Sequence, residues 1–165
     1  MESKKITKCL LVVYLFALIW IVIFKLQFSF DGLPHIRNVN LIPFGDSTIT
    51  NGTIDFDEII GNLLAFIPFG IFIGMLLEGK SFIMKIPPIF FASLIFEVIQ
   101  LVFSIGASDI TDLLMNTVGG VIGIALFLAL SKIMKNKTIK ILNIICLVGA
   151  ILLFSFIGLI LLANL

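Results

Sequence analysis

The chain has 165 residues, 60% of them hydrophobic and only 13% charged, with 17 phenylalanines and a formal net charge of +1. Mean hydropathy is +1.24. Soluble domains are about 45–50% apolar even with glycine counted, so this composition excludes an ordinary soluble domain, and the near-neutral charge gives no case for nucleic-acid binding.

The first segment, "MESKKITKCLLVVYLFALIWIVIF", has a basic start followed by an apolar stretch from Cys9 to Phe24. That stretch exceeds the roughly 7–15 residues of a signal-peptide core, and no A-x-A site follows it, so it reads as a retained anchor. Four more apolar segments follow, giving spans at about 6–27, 58–77, 86–104, 112–133 and 139–163. Each approaches the roughly 20 helical residues that cross a bilayer core about 30 Å thick. Pro87 and Pro88 fall at the start of the third segment, where a helix tolerates proline because its first amides lack partners. The connectors at 78–85, 105–111 and 134–138 are short, and the one long connector is 28–57.

The positive residues set the expected orientation. Lys4, Lys5, Lys8, Lys80, Lys85, Lys132, Lys135, Lys137 and Lys140 fall on one side of a five-span arrangement, and only Lys25 and Arg37 on the other, 9 against 2. The excess of basic residues on cytoplasmic loops places the N-terminus inside and the C-terminus outside. The expected fold is therefore an all-α integral membrane protein of about five transmembrane helices, with the long 28–57 loop facing outward. We read residues 1–165 as a single domain, with 139–163 as a peripheral helix, apolar all round after Lys140.

Polar residues inside spans mark function by default. In the third segment, Ser93, Glu97, Gln100 and Ser104 are spaced 4, 3, 4, one face of a helix, with Glu97 roughly 10 Å below the outer end. The second segment, "DEIIGNLLAFIPFG", places Asn62 about 6 Å in from Glu58. Its Pro68 cannot bond the Leu64 carbonyl and is expected to kink the helix. Gly70 and Gly74 form a small-xxx-small face. In the fourth, "SDITDLLMNTVGGVIG", Asp109 or Ser108 can cap the helix, and Asp112 favours the positive end of its dipole. Asn116 shares a face with Asp112 about 6 Å deeper, and Gly119, Gly120 and Gly123 offer a second close-packing surface. Asn62, Glu97, Gln100, Asp112 and Asn116 thus converge from three helices on one layer. Glu97 is open to two readings: a site residue, or a neutral packing group donating to the Leu64 carbonyl or to Asn116.

The outer loop reads "HIRNVNLIPFGDS". Arg37, the chain's only arginine, can pair with Glu97 or Asp112, or grip an anionic group. "LIPF" is apolar enough to dip into the membrane interface over the polar layer. His35 has no ligand-spaced partners, so no metal site and no cofactor are expected. Cys9 and Cys146 lie far apart outside any CxxC pattern and read as packing residues.

Taken in order, "RNVNLIPF" (Arg37, Asn40, Leu41, Pro43, Phe44), "NLLAFIPFG" (Asn62, Phe66, Pro68, Phe69, Gly70), "EVIQ" (Glu97, Gln100) and "DITDLLMNTVGGVIG" (Asp109, Asp112, Asn116, Gly119, Gly123) resemble the VanZ-like family over residues 37–123. Many family members carry a basic residue in the turn before the fourth helix, where this chain reads "SIGASD". The resemblance implies a multi-pass protein of the bacterial plasma membrane linked to teicoplanin tolerance.

Two functions follow as expectations. One is a binding protein whose outer layer of Arg37, Asn40, Asn62, Glu97, Gln100, Asp109, Asp112 and Asn116 holds a membrane lipid, a lipid-linked cell-wall precursor or the lipoglycopeptide. The other is a membrane-embedded enzyme acting on an extracytoplasmic lipid-linked substrate. There Glu97 or Asp112 would be the general base and Arg37 the anion clamp, without a recognisable nucleophile motif. Proton or ion transport through Glu97 ranks below both, because the inner halves of these helices hold little polar beyond Ser93.

Overall fold

Apolar runs of this length become helices because a helix satisfies its own backbone hydrogen bonds where water is absent. The computed structural model describes residues 2–23, 39–45, 49–50, 53–54, 56–105 and 108–163. The long helices are α1 (Glu2–Val22), α2 (Phe56–Leu76), α3 (Ile86–Phe103), α4 (Ile110–Met134) and α5 (Thr138–Ala163). Four segments among the described residues are long and apolar enough to cross a membrane: Ser3–Val22, Phe56–Leu76, Ile83–Phe103 and Ile110–Leu159, the last containing both α4 and α5. A one-turn 3-10 helix, Lys135–Lys137, separates those two.

Four short strands join the helices. β1 (Val39–Asn40) pairs in parallel with β4 (Ser108–Asp109), Val39 opposite Ser108 and Asn40 opposite Asp109. β2 (Ile49–Thr50) and β3 (Thr53–Ile54) pair antiparallel. The β1–β4 pair ties the α1–α2 connection to the α3–α4 connection, and the apolar pattern of the helices gave no indication of it.

α2 and α4 form the most extensive helix pair. They run parallel, and glycine makes their approach possible. A methyl built on Gly119 would overlap the Leu63 carbonyl, one on Gly123 the Ile67 carbonyl, and one on Gly70 the Gly120 carbonyl. The backbones themselves are in contact, as small-residue faces allow in membranes. α3 crosses this pair antiparallel to α4, with Ile89 against Gly120. Phe66, fully buried at the centre, meets the Phe69 and Phe96 rings edge-on at 5.7 and 6.1 Å.

Pro68 lies within an uninterrupted α2. The Tyr14 hydroxyl of α1 donates to the carbonyl of Ala65, one residue beyond the Leu64 acceptor that proline leaves without its helical donor. α5 docks along α1 from the same end. The Thr7 hydroxyl donates to Asn143 Oδ1 at 2.9 Å, and Asn143 Nδ2 donates to the Ser3 carbonyl at 2.8 Å. Further along, Leu10 and Leu142 share one buried cluster. α5 is thus bonded to α1 through a buried polar contact, in addition to its apolar surface.

The lysine-bearing end carries Lys4, paired with Glu78 at 3.3 Å. Lys85 is buried there, its Nζ 5.6 Å from the centre of the Phe127 ring.

Candidate functional site

The polar layer is built around the start of α4. Asp109 caps this helix, its Oδ1 accepting from the Thr111 amide at 2.8 Å. Of the two capping candidates, Asp109 takes the role and Ser108 does not. The Asp109 amide, itself outside the helical ladder, donates to Glu97 Oε2 at 2.9 Å, and the Ser108 hydroxyl donates to the same oxygen at 3.1 Å. Glu97 is only 4% exposed. In both bonds Oε2 is the acceptor. The two acceptors considered for a neutral Glu97, the Leu64 carbonyl and Asn116, are not its partners in these bonds. Leu64 is exposed on α2, and Asn116 Nδ2 donates instead to Ser93 Oγ at 3.0 Å.

The segment Val39–Gly45 reaches the same point. Asn40 Nδ2 donates to Asp109 Oδ2 at 3.2 Å, while Asn40 Oδ1 accepts from the Ile42 amide at 3.0 Å. The fully buried Thr111 offers its hydroxyl oxygen to the Phe44 amide at 2.9 Å. Ile42 to Gly45 closes a tight turn, the Gly45 amide donating to the Ile42 carbonyl at 3.0 Å. Pro43 occupies its second position. Phe44 at the third has φ 56°, the left-handed region that type II turns require there and that glycine usually fills.

Gln100 turns toward α1, its Nε2 donating to the Val22 carbonyl at 3.0 Å. Asp112 is buried in the first turn of α4. Asn62 is half-buried on α2 and makes no hydrogen bond to the others among the described residues. Arg37 and His35 lie outside the described residues, and so do Lys25 and the roles expected of these side chains. Gln100 Oε1 and Asn116 Oδ1 are buried and accept no hydrogen bond among the described residues.

Electrostatically the layer is acidic. Glu97, Asp109 and Asp112 gather at the start of α4, where the exposed amides and the helix dipole stabilise negative charge. All nine described lysines, by contrast, lie in the N-terminal turns of α1, the α2–α3 connection, or the α4–α5 connection and the helix turns beside it.

Sequence reasoning missed three participants. Thr111 reads as an ordinary second residue of a helix, and only its neighbour Asp109 attracts notice. Tyr14 is the chain's only tyrosine, set in an apolar helix where a phenolic hydroxyl needs a partner, which is a usable clue. The Val22 carbonyl carries no signal in sequence at all.

Long apolar helices surrounding a buried polar layer define a multi-pass helical membrane protein. A family model described as VanZ/LLP1 matches residues 11–133, α1 through nearly all of α4, and the chain belongs to that family. It is 40% identical over 153 residues to the curated Protein VanZ of Enterococcus faecium, covering 92% of this chain and 90% of that relative. No solved structure matches.

Proposed function

We propose that this is a five-span protein of a bacterial plasma membrane, N-terminus inside and C-terminus outside, that contributes to teicoplanin tolerance. It would do so by binding a lipid, a lipid-linked cell-wall precursor or the drug at its outer-leaflet polar layer. The kinship with Protein VanZ supports the resistance link. The nine-to-two distribution of basic residues supports the orientation.

One observation carries the binding reading: buried polar groups from α3, α4 and the outer loop gather in one layer and leave acceptor oxygens of Gln100 and Asn116 without donors among the described residues. Buried acceptors of this kind favour a ligand rich in N–H and O–H donors. Headgroups and glycopeptides supply them. Teicoplanin bears an acyl chain and vancomycin does not, so a site inside the bilayer would separate the two drugs. The enzymatic reading gains less, because Glu97 Oε2 already holds the Ser108 hydroxyl and the Asp109 amide.

The test is a tolerance assay in a susceptible bacterium expressing the wild type, Arg37→Ala, Glu97→Gln, Asp112→Asn or Asn116→Ala, with membrane amounts equalised. Teicoplanin tolerance is expected to rise with the wild type and fall with the variants, while vancomycin tolerance stays level. Equal protection against both drugs, or variants that protect as well as the wild type, would remove the proposal.

A further inference from the structure

We infer that the Leu41–Phe44 turn is a re-entrant element immersed in lipid: its side chains contact the acyl chains of the leaflet at the α3–α4 end, and it does not project into water above them. The inference concerns the surface beside the polar layer and holds whatever that layer binds.

Depth is the first argument. α3 has 18 residues, about 27 Å of helix, close to the roughly 30 Å of bilayer hydrocarbon, so essentially its whole length is needed to cross. Glu97 lies six residues before the end of α3, about 9 Å inside that end. Helical side chains lean toward the N-terminus, so the Glu97 carboxylate points deeper still. It is to this carboxylate that the Asp109 amide is bonded. α4 therefore begins well below the level at which α3 ends. The segment Val39–Gly45 is attached at that depth three times: through the β1–β4 pair, through Asn40 to Asp109, and through the Phe44 amide to Thr111.

The second argument is backbone satisfaction. Irregular backbone survives at membrane depth only where its polar groups find partners within the protein. The amides of Ile42, Phe44 and Gly45 are satisfied by Asn40 Oδ1, Thr111 Oγ1 and the Ile42 carbonyl respectively. A turn bathed in water has no need of this, since water would serve each amide.

The third is what the turn displays. Leu41 and Ile42 are 72% and 69% exposed, Val39 and Phe44 47% each, and residues 39–45 carry no charge. Phe44, with its left-handed backbone, belongs to the same exposed apolar set. Large apolar side chains presented at hydrocarbon depth on a turn whose Ile42, Phe44 and Gly45 amides are bonded within the protein match one surrounding chemistry, the lipid acyl chain.

Two experiments on full-length protein in phosphatidylcholine vesicles test this. In a Cys9→Ser, Cys146→Ser background, spin labels at Leu41→Cys and Ile42→Cys are compared with labels at Leu152→Cys, on the exposed apolar face of α5, and at Lys80→Cys in the turn after α2. Labels at 41 and 42 are expected to collide with oxygen in preference to a water-soluble nickel complex, in the ratio found at 152. A ratio like that at position 80 overturns the inference, as does protection from both reagents, which would mean a protein partner covers the turn. Because labelled variants can misfold, the unmodified chain is also irradiated with a phosphatidylcholine bearing a diazirine in its acyl chain. Adducts on Leu41, Ile42 or Phe44 are expected; adducts on α5 with none on the turn overturn the inference.

Discussion

The Asp109 backbone amide donates to Glu97 Oε2 at 2.9 Å, so a carboxylate on one membrane helix completes the cap of the next. Asp109 closes the helix end through Thr111, Glu97 holds Asp109 and Ser108, and Asn40 holds the α1–α2 connection to Asp109. A side chain that is costly in hydrocarbon is placed among donors that offset the cost.

Removing that acceptor leaves two donors stranded. Glu97→Ala is expected to destabilise the protein by about 1–3 kcal/mol for each buried donor left unpaired, whereas Glu97→Gln keeps an acceptor oxygen and costs less than the alanine variant. Thermal unfolding in a mild detergent, followed by circular dichroism, measures both. An alanine variant as stable as the glutamine variant would show that these bonds do not hold α4 to α3.

The helix seam makes glycine positions unequal. Gly119→Ala and Gly123→Ala push a methyl into α2 backbone and are expected to cost about 1–3 kcal/mol or more, as overpacking does. Gly61→Ala meets nothing within 4 Å. There the change is expected to be neutral or to stabilise α2 by up to about 1 kcal/mol, the helix-propensity gain of alanine over glycine. The same unfolding assay applied to the three variants checks the order.

Thr111→Val preserves shape and removes the acceptor for the Phe44 amide. Hydrogen exchange at Phe44 is expected to accelerate by one to two orders of magnitude, corresponding to about 1–3 kcal/mol for a hydrogen bond lost from a buried site. Amides in the middle of α2 should exchange unchanged. Mass spectrometry of peptides spanning 39–45 and 63–72 reads both.

Tyr14→Phe removes the hydroxyl that reaches the Ala65 carbonyl and keeps the ring beside Phe72. The expected loss is about 0.5–1.5 kcal/mol, the net worth of an ordinary hydrogen bond, and thus smaller than that of Glu97→Ala.

The helices were legible in sequence because the bilayer leaves so few options: an apolar run must satisfy its own backbone, and hydropathy therefore reports position. Proline at the start of α3, Asp109 at the start of α4 and the close-packing glycines of α2 and α4 follow from local chemistry, and the structure places them so. A shared depth for Asn62, Glu97, Gln100, Asp112 and Asn116 could be computed by counting residues along each helix. Partner choice could not. Asn116 takes Ser93, Gln100 takes a carbonyl of α1, and Asn40 reaches Asp109 across 69 residues, each decided by packing at long range. The peripheral reading of α5 overlooked Asn143, a single amide in a long apolar helix.

That amide sets an order of events. Thr7 and Asn143 are 136 residues apart, yet they bond at the same end of the bundle. A chain made from its N-terminus places α1 in the membrane long before α5 exists, and through that interval Thr7 waits without this partner. α5 emerges after the other four helices and closes against α1, so this seam is sealed only when synthesis has passed residue 143.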